Sequence, residues 1–162
     1  MLEQAGEEFC VVPMELSHLD EVLKIEEQSF PTPWSKYAFT CELLDNDFSR
    51  YFCLIYGDRV IGYMGVWIIL DEAHITNVAI SPEYRNQRLG DYLMQVVTQN
   101  CLALGAVRMT LEVRVSNLAA QNLYTRLGFK SAGIRRGYYT DTKEDAIIMW
   151  KEILHSTAEG KP

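Results

Sequence analysis

The stretch NVAISPEYRNQRLGDYL, residues 77–93, decides the fold. Just before and within it, Ile75 to Ile80 is short and apolar and reads as a strand bounded by Ser81-Pro82. From Leu89 onward, Leu89, Leu93, Val96, Val97, Cys101 and Leu104 recur at helical spacing. Between strand and helix lies a polar turn, Arg85-Asn86-Gln87-Arg88, closed by Gly90. A strand, a tight turn and a helix start can bind an anion. The first N–H groups of a helix have no intrahelical acceptor, and the helix dipole is positive there. The alternative is an ordinary strand-to-helix turn with solvated arginines. No Gly-Lys-Ser/Thr follows, so this is not a Walker loop, and the three glycines of the dinucleotide fingerprint are missing.

Outward toward the N-terminus, Tyr51 to Tyr56 and Val60 to Leu70 read as two strands joined by Gly57-Asp58-Arg59, a hairpin. Phe9 to Met14 reads as a first strand, with Pro13 placing its end at an edge. Met1 to Glu8 is polar and is expected to fray. Ser17 reads as an N-cap with Asp20 three residues on, close to a capping box. The helix that follows carries Leu19, Val22, Leu23 and Ile25 and ends before Pro31. Pro31 and Pro33 stiffen the loop from Phe30 to Ser35, and Ser35 can cap a second helix through Tyr37, Ala38, Cys41, Leu43 and Leu44. Trp34 on this loop is either a substrate wall or a tryptophan packed over the domain edge.

Outward toward the C-terminus, Gly105 stops the long helix and Arg108 to Val115 is the next strand. Asn117 or Ser116 caps a helix that ends near Gly128, a suitable C′ glycine. Phe129 begins another strand, and Ala146 to Ile153 is the last. Tyr138 and Tyr139 are expected in the loop before it. The order predicts one α/β domain over residues 1–155. It is a mixed, mostly antiparallel sheet of about seven strands flanked by about four helices. The connection from Ile80 to Arg108 should be a right-handed crossover with its two strands parallel. Residues 156–162 are polar and are expected to be disordered.

The bulk numbers narrow the function classes. The 162 residues are 48% hydrophobic and 23% charged, ordinary for a globular domain. The net charge of −7 argues against direct nucleic-acid binding and is compatible with a basic substrate. No run approaches the length of a membrane span. Cys10, Cys41, Cys53 and Cys101 show no C-x-x-C spacing and read as small core residues. A reducing cytoplasm is the default. His18, His74 and His155 are scattered and form no metal-ligand pattern, so no metal is expected.

Four places could carry chemistry. In the strand Met109-Thr110-Leu111-Glu112-Val113, Glu112 shares a face with Thr110 and Arg114. A carboxylate there is either a cleft base or one half of a salt bridge with Arg114 or Arg108. Tyr124 lies on the apolar helical stripe of Ala120, Leu123 and Leu127, which alone suggests a core tyrosine. Asn117 and Asn122 need no role beyond capping, although an asparagine at a helix start could bond a ligand amide. Tyr138 and Tyr139, after Arg135-Arg136-Gly137, suit either peptide binding or a structural turn.

NVAISPEYRNQRLG, LEVRVSNLAAQNLYTRLGF and RRGYYTDTKEDAIIMW together resemble the GNAT N-acetyltransferases, specifically their RimI-like branch, and the likeness covers roughly residues 9–153. The branch acetylates the N-terminal alanine of a small-subunit ribosomal protein by direct transfer from acetyl-CoA in a ternary complex. The resemblance matches Glu112 to the general base and Tyr124 to the general acid. It matches Val78, Ala79 and Ile80 to the strand that holds the thioester and pantetheine arm. Arg85, Asn86, Gln87, Arg88, Leu89 and Gly90 match the pyrophosphate loop, and Asn117 a further CoA contact. Trp34, Tyr138 and Tyr139 match the rims where the peptide lies. The departure is Arg88, which stands where the family has its middle glycine. A lysine or small-amine acceptor, or a non-catalytic acyl-CoA-binding module, are the alternative functions.

Overall fold

The computed structural model describes residues 3–4 and 7–153. Among the described residues, seven longer strands and four α-helices form the mixed α/β arrangement predicted: β-strand pairing is parallel between Glu72–His74 and Arg108–Thr110 and antiparallel in the other pairs named below. The chain divides into two compact units. The first runs up to Trp67 and includes Thr76–Gln99; the second comprises Ile68–Ile75 and Asn100 onward. The expected disorder of residues 156–162 lies outside the described residues. No helix among the described residues is long and apolar enough to cross a membrane.

The first unit contains β1 (Glu3–Gln4), β2 (Glu7–Pro13), α1 (Leu19–Ser29), α2 (Lys36–Leu44) and β3 (Ser49–Tyr56). It also holds most of β4 (Arg59–Ile69) and the later part of β5 (Glu72–Ile80). Glu3 and Gln4 pair with Glu8 and Glu7 rather than fraying, because a backbone ladder holds them whatever their polarity. The helix start expected at Ser17 is also corrected. A single 3₁₀ turn, Leu16–His18, leads into α1, and the capping box is Glu15 with His18. His18 Nδ1 accepts the Glu15 N–H at 2.9 Å. Ser35 does cap α2, accepting the Ala38 N–H at 3.1 Å.

Apolar spacing explains the packing here. Leu19, Val22 and Ile25 share one buried face of α1 and meet Phe39, Tyr51 and Tyr63. Phe39 stands edge-on to Tyr63 and Tyr51, with ring centroids 5.8 and 6.2 Å apart, and Trp34 tilts against it at 5.3 Å. Trp34 is therefore packed, half-buried, against this cluster. The Trp34 backbone N–H donates to the buried Glu26 carboxylate at 2.9 Å, and the Tyr63 hydroxyl donates to the other oxygen. Burial pushes the Glu26 pKa up, in spite of those two hydrogen bonds. Of the cysteines, Cys53 and Cys101 are buried as expected and Cys41 is half-buried. Cys10 is exposed on β2, where strand alternation turns it outward.

The second unit holds the start of β5, β6 (Arg108–Arg114), α4 (Leu118–Arg126), β7 (Lys130–Tyr139) and β8 (Glu144–Glu152). β5 and β6 run parallel, with Glu72, Ala73 and His74 opposite Arg108, Met109 and Thr110. This is the predicted outcome of the crossover through α3 (Leu89–Ala103). β6 alternates as read: Met109, Leu111 and Val113 are buried, and Thr110, Glu112 and Arg114 take the other face. Asn117 caps α4 by accepting the Ala120 N–H at 3.1 Å, and Gly128 ends it at φ +98°. Tyr138 and Tyr139 are not in a loop. β7 continues through them, but its register with β8 shifts between Arg135 and Tyr139. Gly137, at φ +61°, lies inside that irregularity, and its N–H donates to Asp145 Oδ1 at 2.8 Å. The bulge erases the period-two pattern that would have marked a strand.

Candidate active site

In the first unit, the polar turn between β5 and α3 has an unusual backbone. Asn86 and Arg88 both sit at φ +62°. That is the conformation glycine adopts without strain, so a glycine would suit position 88, and an arginine there costs about 1 kcal/mol. The Arg88 carbonyl accepts the Tyr92 N–H at 3.2 Å, so Arg88 occupies the capping position of α3. Its guanidinium is 71% exposed and lies 3.7 Å from Asp91, one turn on. The Arg85 side chain is engaged elsewhere: its Nε donates to the Ile80 carbonyl and a terminal nitrogen to Ser29 Oγ, both at 2.9 Å. Arg85 thus ties the turn to the ends of β5 and α1. The first backbone N–H groups of a helix such as α3 are suited to an anion.

Of the residues expected to hold a thioester arm, Ala79 is buried, while Val78 and Ile80 are half-buried. Gly62 on β4 lets the end of β5 come close. A Cβ there would lie 2.7 Å from Ile80 Cδ1 and 3.1 Å from the Ala79 oxygen. The Ser81 N–H fastens the end of β5 by donating to the Ile61 carbonyl at 2.7 Å. Behind this strand runs a polar chain. Glu42 Oε1 accepts from the Tyr51 hydroxyl (3.1 Å) and from Trp67 Nε1 (2.6 Å). The Tyr51 and Thr76 hydroxyls are 2.9 Å apart, and Thr76 donates to Asn77 Oδ1 at 3.1 Å.

In the second unit, Glu112 has partners the sequence did not reveal. Its side chain is 9% exposed. Oε1 lies 2.7 Å from His74 Nε2, Oε2 lies 3.7 Å from Arg135 Nε, and the Tyr138 hydroxyl donates a further hydrogen bond. Burial pushes the carboxyl pKa up. The His74 bond and charge, the Arg135 charge and the Tyr138 bond together outweigh it, so the group lies below the ordinary carboxyl value. Neither expected salt-bridge partner is used. Arg114 makes two bonds to Asp141, at 3.1 and 2.9 Å, and lies 4.0 Å over the Tyr139 ring; Arg108 pairs with Asp71, Glu72 and Glu152. Register is the reason. His74 stands opposite Thr110, so Glu112 is its diagonal neighbour on the same face. His74 and Arg135 are the candidates that reading the sequence missed; the hint was a histidine immediately before the apolar run Ile75 to Ile80.

Tyr124 is buried, edge-on to Phe129 at 5.8 Å. Burial first, and the neighbouring Tyr139 second, hold its phenol well above the ordinary tyrosine value. Such a group stays protonated at neutral pH and can act as an acid. Burial, with Tyr138 next in effect, pushes Tyr139 up to about 12. Tyr138 stands 43% exposed and at right angles to Tyr139, centroids 5.0 Å apart. The structure thus gathers Glu112, Tyr138, His74 and Arg135, and sets Tyr139 near Tyr124. Asn117 serves as a cap, and Asn122 is exposed. Among the described residues no group of three or more His, Cys, Asp or Glu side chains could hold a metal ion.

An ionised carboxylate is able to accept a proton, a buried phenol that stays protonated is able to give one, and the start of a helix is able to hold an anion. The pattern of the acetyltransferase (GNAT) family matches residues 19–129, and the chain belongs to that family of acyltransferases. Among its relatives, a Bacillus subtilis (strain 168) protein is provisionally named a ribosomal protein bS18-alanine N-acetyltransferase. The two are 47% identical over 140 residues, covering 86% of this chain and 93% of the relative. The ribosomal protein bS18-alanine N-acetyltransferase of Escherichia coli (strain K12) is 38% identical over 140 residues, covering 84% and 92%. The crystal structure of the ribosomal-protein-S18-alanine N-acetyltransferase from Escherichia coli superposes with a TM-score of 0.81 at 35% identity, covering 90% of this chain and 94% of that one.

Proposed function

We propose that this enzyme transfers an acetyl group from acetyl-CoA to the α-amine of a protein N-terminus, foremost the N-terminal alanine of ribosomal protein bS18, in the cytoplasm. The observation that carries this reading is likeness over nearly the whole chain to two bS18-alanine N-acetyltransferases, at 47% and 38% identity. The net charge of −7 suits a basic ribosomal tail. We assign the catalytic roles to residues 1–155 as one domain.

The attacking amine must be neutral. An α-amine has a pKa of about 7.7–8.0, so a site of modest basicity can take its proton. Glu112 is the general base that takes this proton, directly or through a water. The backbone of Val78, Ala79 and Ile80 holds the thioester carbonyl, whose oxygen gains charge as the amine attacks. Tyr124 gives its phenolic proton to the departing thiolate. Asn86 through Gly90 cradle the pyrophosphate, chiefly by backbone, with Arg85 fixing the turn rather than touching phosphate. Asn117 lies against the carrier, and Trp34, Tyr138 and Tyr139 line the peptide. No step forms a covalent bond to the protein, so no cysteine acts as a nucleophile.

The test incubates the protein with acetyl-CoA and two basic peptides. One begins with a free alanine; the other has a blocked N-terminus and an internal lysine. Mass spectrometry should find acetyl on the first alanine. Equal or faster reaction of the blocked peptide overturns the N-terminal assignment in favour of a lysine acceptor. Tight CoA binding with no turnover on either peptide would identify a binding module instead.

A further inference from the structure

Tyr138 and Tyr139 stand where their strand is least regular. Arg135 pairs with Ala146 and Tyr139 with Glu144, so Arg136, Gly137 and Tyr138 on β7 have only Asp145 opposite them on β8. A ladder interrupted in this way does not by itself fix where side chains point. Contacts to this end of the hairpin converge instead on one side chain from the end of β6. The Arg114 guanidinium donates two bonds to the Asp141 carboxylate, at 3.1 and 2.9 Å, and a third to Thr142 Oγ1 at 3.1 Å. It lies 3.6 Å from Glu144 and 4.0 Å over the Tyr139 ring. It thus touches Tyr139, the turn that follows, and the residue with which Tyr139 pairs.

We propose that Arg114 is the residue that positions Tyr138 and Tyr139 for the peptide, acting as a clasp on the β7–β8 hairpin rather than touching substrate itself. This rests on the N-terminal acetyl-transfer reading given above, in which those tyrosines line the peptide. A guanidinium suits the task. Its planar fork grips a carboxylate through two bonds while its flat face stacks on an aromatic ring, so one side chain fixes both the turn and the tilt of Tyr139. The clasp is not a solvated surface pair, since the Arg114 and Asp141 side chains are only 19% and 20% exposed.

The base of the clasp is fixed too. Gln121 of α4 donates to the Arg114 and Val115 carbonyls, at 3.0 and 2.9 Å. The Val115 N–H donates to the Asp145 carbonyl at 3.2 Å, and the Ser116 N–H to Glu144 Oε2 at 2.7 Å. From Tyr139 the order passes on. Tyr138 stands at right angles to it, centroids 5.0 Å apart, and its hydroxyl donates to Glu112. The placing of the aromatic pair beside the proposed base therefore depends on an ion pair at the tip of the hairpin. All of these residues belong to the second unit.

The experiment compares Arg114→Lys and Asp141→Asn with the parent, using acetyl-CoA and the alanine-initiated basic peptide. Lysine keeps the charge but loses the fork and the flat face; asparagine keeps the shape of the aspartate but not its charge. Both should raise the peptide KM about tenfold, with kcat lowered by less than about threefold and CoA affinity within about twofold. A background lacking both rings, Tyr138→Ala with Tyr139→Ala, isolates the route. There Arg114→Lys should add nothing further to KM, because it acts through the rings. Thermal unfolding is followed in parallel. A lower Tm with the peptide KM unmoved would show a purely structural pair and overturn the proposal. A KM loss that persists undiminished without the rings also overturns it, since Arg114 would then meet the peptide directly. Should Arg114→Lys fail to fold, Asp141→Asn carries the same measurements, in both backgrounds. No turnover by the unaltered enzyme overturns the acetyl-transfer reading and this proposal with it; turnover with an unmoved KM in both variants overturns the clasp alone.

Discussion

Replacing Gly65 with alanine should destabilise the protein by about 3 kcal/mol, and the structure shows why. An added Cβ would fall inside the van der Waals envelope of the Tyr51 ring, and only 2.8 Å from its Cδ2. The ring cannot move aside cheaply. Its hydroxyl is held by Glu42 at 3.1 Å and Thr76 at 2.9 Å, Phe39 stands edge-on to it, and it is 4% exposed. Overpacking of this kind costs about 1–3 kcal/mol. Breaking the two hydroxyl contacts adds about 1 kcal/mol each. Alanine's better strand preference offsets about 0.5–1 kcal/mol of that. For a chain of this size the result is a Tm lower by about 6–12 °C. Urea unfolding followed by tryptophan fluorescence would measure it, with an unchanged slope showing that the same surface is exposed. Shortening the ring, Tyr51→Leu, should relieve the clash, so the double variant should lose less than the sum of the singles. A Gly65→Ala protein within 1 kcal/mol of the parent, or strict additivity with Tyr51→Leu, would refute the reasoning.

Three further outcomes are expected. Arg88→Gly should leave CoA affinity within about threefold, because its exposed guanidinium lies against Asp91 and the proposed anion site is the backbone of the turn; a tenfold loss in calorimetry would show the side chain reaching phosphate. Tyr124→Phe should lower kcat about 100-fold with CoA affinity kept, and lose less with an acetyl donor whose thiol is a more acidic leaving group; equal losses with both donors would remove the proton-donor role. For stability against pH, Glu112 has a lower pKa folded than unfolded, so the native state binds fewer protons there. The stability it contributes is present above the ordinary value of 4.5 and drains away as pH falls toward the folded pKa. The stability difference between the parent and Glu112→Gln, from urea melts, should therefore shrink below about pH 4.5, and a pH-independent difference would contradict the shift.

Periodicity made most of the fold legible, and its failures have local causes. α4, with the Asn117 cap and the Gly128 terminus, and β6, with its strict alternation, follow from short-range rules and match. β7 fails because Gly137 and the register shift break the alternation just where the tyrosines lie. The Ser17 cap fails because a 3₁₀ turn moves the entry two residues back, to Glu15. Glu112 was visible as a carboxylate out of place on a central strand. Its partner was not, because the His74–Glu112 pair depends on which residue of β5 meets which of β6, and a one-residue slip would turn His74 to the opposite face. Position 88 shows the limit of motif matching. A missing glycine suggests a broken site, yet the arginine itself adopts a left-handed backbone, which glycine favours.

The state of Glu112 also bears on the choice between an α-amine and a lysine. With its carboxyl held below the ordinary value, the site does little to drive deprotonation, and the acceptor must supply much of its own neutral form. An α-amine near pKa 8 and a lysine near 10.4 differ by about 2.5 units, which is about 3.4 kcal/mol or about 300-fold in neutral fraction near pH 7. Selectivity of that size thus arises from ionisation before any residue touches the peptide. A measured preference for α-amines well above about 300-fold would require added recognition of the N-terminus, for which the exposed Tyr138 beside Glu112 is the placed candidate. A preference well below it would mean that the protein binds lysine side chains preferentially or lowers their pKa. Comparing alanine-initiated and lysine-bearing peptides across pH 7 to pH 10 separates these cases. An ionisation-controlled ratio should fall about tenfold per unit once the α-amine is fully neutral, while a contact-controlled one should persist.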